Sequence, residues 1–228
     1  MSDPRQQIPL GFASAAAMGE ADFVVTSGNQ EALAWLQKWP DWPSHGLVLY
    51  GPQGSGKTHL AHIWAQRAGA EWLTAPDHDR GARVVLEDAE RLIGHPQYEE
   101  ALFHLLNSLV SRNGHILLTA TQAPVLWPIK LPDLRSRLLA LPTAHIAPPD
   151  DEALRAVMLK LFSDRQLRVP GEVIDYLVRR IERSYGVAHK VVAAIDAAAL
   201  ASGRAITLPF VRDVLAQTDS LPRLSDHG

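Results

Sequence analysis

Short, unbroken apolar runs alternate with longer amphipathic segments through the first two thirds of the chain. The runs are "GLVLYG" (46–51), "EWLTA" (71–75), "RVVLED" (83–88), "HILLTAT" (115–121) and "LPTAHIA" (141–147). A strand buried on both faces of a parallel sheet has this pattern. Between some of them, Thr58–Ala68 and Tyr98–Arg112 carry apolar residues at helical spacing. Strands alternating with helices predict an α/β domain built on a parallel sheet.

The pattern breaks at "APPDD" (147–151). Two prolines end the last strand, and Asp150 or Asp151 is placed to cap a helix. That helix carries Leu154, Val157, Met158, Leu161 and Phe162 on one face. Three more helical segments follow, at about 171–184, 187–202 and 209–217, with Pro170 and Pro209 near helix starts and Gly203 at a helix end. The expected organisation is therefore a leader over 1–20, an α/β domain over 21–148, an all-helical domain over 149–217 and a tail over 218–228. Ala15–Ala17 favours a helix but is too short to hold one alone.

Composition narrows the function classes. The 228 residues carry a net charge of −3, unlike the strongly basic domains that bind nucleic acid wholesale. There is no cysteine, which excludes disulfides and thiolate metal sites. No apolar run is long enough to span a bilayer, and the N-terminus lacks a secretory pattern. These features predict a cytoplasmic protein without a membrane partner.

The chemistry concentrates in "GPQGSGKT" (51–58), which fits G-x-x-x-x-G-K-[ST] between a buried strand and a helix. Gly51, Gly54 and Gly56 let the backbone curl so that its N–H groups face phosphate oxygens. The helix N-terminus that follows adds partial positive charge. Lys57 is expected on the β and γ phosphates, and the Thr58 hydroxyl on Mg²⁺. The expected nucleotide contacts are Gly51, Pro52, Gln53, Gly54, Ser55, Gly56, Lys57, Thr58 and His59. The competing account, a glycine-rich turn with a chance lysine, does not explain the flanking elements. "RVVLED" supplies the second part: Glu87 and Asp88 end a buried strand, where α/β sheets bind ligands. A carboxylate there holds a magnesium ion or orients the attacking water, so Glu87 joins Thr58 as a candidate metal ligand.

At this point the chain resembles the AAA+ family of P-loop NTPases, and within it the DnaA/Hda branch, over about residues 20–217. "DFVVTSGNQEAL" (22–33) is similar to the segment that helps form the adenine pocket, "GKTHL" (56–60) to the branch's wording of the loop, and "LPDLRSRL" (131–138) to its arginine-finger segment. The resemblance implies an AAA+ domain followed by a small helical lid, with ADP or ATP and Mg²⁺ bound between them. It makes Arg137 an arginine finger aimed at the nucleotide of a neighbouring subunit, with Arg135 the weaker candidate. It also makes Thr121 the polar sensor after the fourth strand, where the branch often has Asp or Asn. His189, with Lys190 beside it, stands where the lid's sensor arginine is expected; it could contact a phosphate if protonated, and the competing reading is a plain surface histidine. With Glu87 leading the acidic pair, these departures predict a weak intrinsic ATPase.

DnaA initiators continue past the lid into a helix-turn-helix domain, whereas these 228 residues end soon after it. The resemblance is thus to the Hda group of DnaA-related regulators. Members of that group carry an N-terminal motif for the DNA polymerase sliding clamp, and "QIPLGF" (7–12) is similar to it. Leu10 and Phe12 would anchor in an apolar pocket, with Ile8 between them and Gln7 fixing register. The implied function is negative regulation of replication initiation. The chain docks on the clamp and promotes hydrolysis of DnaA-bound ATP, with Glu87, Asp88 and Arg137 as the catalytic candidates. DNA is then met only through the clamp, and a second copy of the chain is a further partner the family allows. The alternatives are a DnaA-like DNA-binding or helicase-loading adaptor and a small stand-alone kinase. The arginine segment and lid speak against the kinase, and the acidic balance against the adaptor.

Outside these motifs, His59 and His62 share a helix face but have no third ligand, so no zinc is predicted. Arg179, Arg180 and Arg183 read as a solvated face, and Trp35, Trp39 and Trp42 as packing.

Overall fold

The computed structural model describes residues 19–20, 23–77 and 81–217. Gln7, Ile8, Leu10 and Phe12 lie outside the described residues. The elements run α1 (Gln30–Gln37), β1 (Gly46–Tyr50), α2 (Lys57–Ala68), β2 (Glu71–Leu73), β3 (Arg83–Leu86), α3 (Pro96–Ser111), β4 (His115–Ala120), α4 (Pro132–Leu139), β5 (Thr143–His145), α5 (Asp151–Asp164), α6 (Gly171–Arg180), α7 (Tyr185–Ser202) and α8 (Leu208–Gln217).

All five strands are parallel, in the order β2-β3-β4-β1-β5. The continuous apolar character of the central strands β3, β4 and β1 serves two faces at once, whereas the edge strands β2 and β5, expected to be buried on both faces, expose Glu71, Thr143 and His145. Leu47, Leu49, Val85 and Leu117 pack toward α1 and α2, around Leu60 and Trp64. Val48, Val84, Leu86, Ile116 and Leu118 face the other side, against Leu102, Leu105 and Leu109 of α3 and Leu134 and Leu138 of α4. Successive residues of one strand thus feed opposite layers, as the two-residue period requires. Trp42 stacks on Trp64 at 5.4 Å and donates its indole N–H to the Trp35 carbonyl, so this tryptophan cluster is packing.

A third core belongs to α5–α8 alone. The predicted face of α5, Leu154, Val157, Met158, Leu161 and Phe162, is buried against Ile174, Leu177, Val191 and Ile195. Asp150 is the cap: its carboxylate accepts the Ala153 N–H at 2.7 Å. Gly203 closes α7 with a φ of +63°.

The differences from the sequence expectation are local. Two eight-residue helices, α1 and α4, lie outside the predicted set; each is too short to show a periodic face against its polar residues. The segment predicted as one helix to 184 stops at Arg180, where extended backbone buries Ile181. Ser184 then caps α7, accepting the Val187 N–H, so α7 starts at Tyr185 rather than 187. The predicted strand 115–121 ends at Ala120, which leaves Thr121 beyond the sheet.

Candidate functional site: the phosphate loop, its lid and a distant arginine

The loop between β1 and α2 sits at the C-terminal edge of the sheet. The Gly51 N–H donates to the Ala120 carbonyl at 3.1 Å, and a Cβ on Gly51 would lie 2.1 Å from the Ile146 carbonyl oxygen. Only glycine passes there. Gly54 and Gly56 hold φ of +75° and +102°, the left-handed region that glycine enters freely. Lys57 begins α2 with its side chain buried, and its ammonium donates to the Gly51 and Pro52 carbonyls at 2.8 and 2.9 Å. Two of its three donors bridge the loop, leaving one for a phosphate oxygen. Burial lowers the Lys57 pKa against the opposing charges of Asp88, Glu90 and Glu87. Ser55 is buried, and its hydroxyl has no hydrogen-bond partner among the described residues. Pro52 and Gln53 form the exposed crown of the loop.

The acidic pair divides its work. The Thr58 hydroxyl donates to Glu87 Oε1 at 2.7 Å, which puts the two candidate magnesium ligands side by side. A hydroxyl and a carboxylate oxygen are the hard oxygen donors that Mg²⁺ takes, so these residues fit that ion. Asp88 is held differently: its φ is +48°, its N–H donates to the buried Thr119 hydroxyl at 3.1 Å, and its carboxylate pairs with Arg91 at 3.1 Å while its charge still acts on Lys57.

Two carboxylates enter that sequence reasoning passed over. Glu90, on the short turn after β3, accepts both the backbone N–H and the hydroxyl of Thr121 on one oxygen, at 2.6 and 2.7 Å. Its other oxygen is buried without a partner among the described residues. Glu99 on α3 is 2% exposed. It accepts the N–H groups of Gly94 (2.8 Å), Lys130 (3.1 Å) and Leu131 (2.8 Å). Burial disfavours its charge, but these N–H donors and the Lys130 ammonium outweigh that and hold its pKa below the ordinary value. A signal was present. Glu99 lies three, seven and ten residues before Leu102, Leu106 and Leu109, on the buried face of α3.

The lid reaches the loop through its backbone. The Tyr185 N–H, first in α7, donates to the Gly54 carbonyl at 2.9 Å. A Cβ on Gly54 would lie 2.0 Å from the Ser184 hydroxyl oxygen. His189 follows one turn later, half-buried, with its pKa lowered by burial and then by the charges of Arg165 and His59. His59 itself meets the Gly19 carbonyl at 3.1 Å and the Phe23 ring edge-on at 5.2 Å.

Arg137 lies elsewhere. It is exposed on α4, with its guanidinium 5.6 Å from the centre of the Phe103 ring. It lines a cleft of about 600 Å³ with Ser44, His45, Val110 and Asp133. Ser44 and His45 precede β1 and the phosphate loop follows it, so the length of the strand separates the two, about 16 Å at the usual rise per residue. No cluster of three or more His, Cys, Asp or Glu able to hold a metal occurs among the described residues, and none of their helices is long and apolar enough to cross a membrane.

Comparison with known proteins places this geometry. Residues 150–215 match the family model described as "Hda, lid domain". The chain is 27% identical to the chromosomal replication initiator protein DnaA of Thermomicrobium roseum, over 87% of its own length and 49% of that protein's. It therefore spans about half the length of the curated relative it matches. Its fold is that of domain III of Thermotoga maritima DnaA, with a TM-score of 0.78 and 19% identity, over 88% of this chain and 96% of that one. AMPPCP-bound DnaA from Aquifex aeolicus matches with a TM-score of 0.61 and 21% identity, over 70% of this chain and 59% of the other.

Proposed function

We propose that this chain, an Hda/DnaA-related AAA+ protein, is a negative regulator of replication initiation that acts on DnaA-bound ATP in trans. The observation that carries the proposal is the position of Arg137. It is exposed, and a whole strand separates it from the chain's own phosphate loop. An arginine so placed serves a nucleotide on another molecule, where it offsets charge that builds up in phosphoryl transfer. The lid match and the sequence relation to an initiator support DnaA as the partner.

In this proposal ADP or ATP sits between the phosphate loop and the lid, and Mg²⁺ is held by Thr58 and Glu87. That nucleotide orders the chain; hydrolysis by the chain itself is slow, since His189 stands in place of a lid arginine and Thr121 carries no charge. Gln7, Ile8, Leu10 and Phe12 dock the protein on the sliding clamp, so DNA is met only through the clamp.

Phosphate release from ATP-loaded DnaA, with clamp assembled on DNA, tests this. The wild-type chain speeds release, and Arg137→Ala removes the stimulation while nucleotide binding by the chain stays unchanged. Gln7→Ala/Leu10→Ala/Phe12→Ala loses clamp binding and the same stimulation. Full stimulation by Arg137→Ala would overturn the proposal.

A further inference from the structure

Thr121 directly follows Ala120, whose carbonyl accepts the Gly51 N–H of the phosphate loop at 3.1 Å, so on the proposal above that the loop binds ADP or ATP it is a candidate reader of the terminal phosphate. A threonine hydroxyl has a single hydrogen. Here that hydrogen is given to Glu90 Oε1 at 2.7 Å, and the backbone N–H of the same residue goes to the same oxygen at 2.6 Å. Both donors of Thr121 are committed to one carboxylate. What Thr121 still presents is lone pairs. Phosphoryl oxygens are acceptors too, so the two cannot hydrogen-bond while Glu90 holds the proton.

The environment fixes Glu90 in this pose. It sits on the turn Ala89–Leu92, which Asp88 enters with left-handed backbone pinned by its N–H to Thr119. The second Glu90 oxygen is buried with no hydrogen-bond partner among the described residues. Lys57 lies within the field of Glu90, Asp88 and Glu87 together. Asp88 is answered by Arg91 and Glu87 by the Thr58 hydroxyl, whereas among the described residues the hydrogen bonds to the Glu90 carboxylate come from Thr121.

We infer that Glu90 is a specificity-determining residue of the nucleotide site: by keeping the Thr121 hydroxyl as its own donor, it withholds recognition of the terminal phosphate of a nucleoside triphosphate. Glu90 touches no phosphate itself. It acts through Thr121, and the quantity it sets is the ratio of triphosphate to diphosphate affinity.

The test measures dissociation constants of the full chain for AMPPCP and for ADP with Mg²⁺, by calorimetry. Glu90→Ala frees the hydroxyl to turn to the phosphate and removes a charge. AMPPCP affinity should rise about tenfold relative to ADP, the size of one charge-assisted hydrogen bond. Glu90→Gln keeps an acceptor for Thr121 and removes only the charge, so it should gain less. In Glu90→Ala/Thr121→Val the hydroxyl is gone and the gain falls to the Glu90→Gln level. A merely structural role for Glu90 would weaken both nucleotides together and leave the ratio alone.

An unchanged ratio in Glu90→Ala, with ADP still bound, overturns this inference and leaves the nucleotide-binding proposal standing. An equal gain in Glu90→Ala and Glu90→Ala/Thr121→Val assigns the effect to charge and overturns the role given to the hydroxyl. Failure of the wild-type chain to bind either nucleotide overturns both. Should Glu90→Ala fail to fold, Thr121→Val decides. Wild-type Thr121 makes no bond to the phosphate, so that substitution leaves the ratio unchanged; a loss of AMPPCP affinity alone overturns the inference.

Discussion

Glu99 ties the fold to the arginine, and its replacement gives the sharpest test of that link. The carboxylate joins α3 to the three backbone N–H groups of Gly94, Lys130 and Leu131, and Leu131 is the residue from which α4 starts. Arg137 rides on that helix. Glu99→Ala strands three donors in a place that is 2% exposed. At about 1 kcal/mol or more for each, the expected destabilisation is about 3–5 kcal/mol. Glu99→Gln keeps one acceptor oxygen but exchanges the other for a donor and loses the charge, for about 2–3 kcal/mol. Urea denaturation reads both. In a chain of this size they correspond to a fall in Tm of about 10 °C for the alanine variant.

The pH dependence supplies the sign. The Glu99 pKa is held below its ordinary 4.5 in the fold. Its stabilising contribution is therefore complete above 4.5 and is lost as pH falls below that value toward the folded pKa. The stability gap between wild type and Glu99→Gln should be constant from pH 7 to about 5.5 and close below 4.5. A Glu99→Gln variant within about 0.5 kcal/mol of wild type at pH 7 would refute the reasoning, because surface substitutions fall in that range. So would a gap that stays flat to pH 3.5.

Two other outcomes follow from the geometry. Gly54→Ala puts a methyl group 2.0 Å from the Ser184 hydroxyl oxygen and strains a φ of +75°. Proteolysis of the lid should speed up, and adding Ser184→Gly should restore part of the protection. His115 has its pKa lowered by burial, then by the charges of His45 and Arg83. Below pH 6.5 the unfolded chain takes up a proton that the fold refuses, so stability falls as pH drops from there, by at most about 1.4 kcal/mol per unit. Denaturation curves between pH 8 and 5.5 should show a shallower fall for His115→Gln than for wild type, and equal slopes would refute it.

The legible parts of this chain are those that repeat or that carry a fixed chemistry. The central strands β1, β3 and β4 announced themselves because each serves two layers, so Leu47, Val48 and Leu49 are all apolar. The phosphate loop was legible because Gly51 tolerates no side chain beneath Ile146. What stayed hidden was short or polar. Helix α4 has two buried residues in eight, too few to show a face. Glu99 reads as one more surface acid until its neighbours at 102, 106 and 109 are seen to be buried. Glu90 gave no signal at all. Its partner is 31 residues away, and only the adjacency of β3 and β4 in the sheet brings the two together.

The hydrogen bond from Tyr185 to Gly54 has a consequence for how such chains vary. Both of its atoms belong to the main chain. Any residue at 185 except proline supplies that N–H, and the carbonyl is that of Gly54, where the φ of +75° and the nearby Ser184 hold the position to glycine. A mechanical connection between the lid and the phosphate loop can thus persist while the tyrosine is replaced, leaving no trace in an alignment. Among proteins that have lost the charged lid residue, preserved helix position would be a better guide to retained communication than preserved side chains.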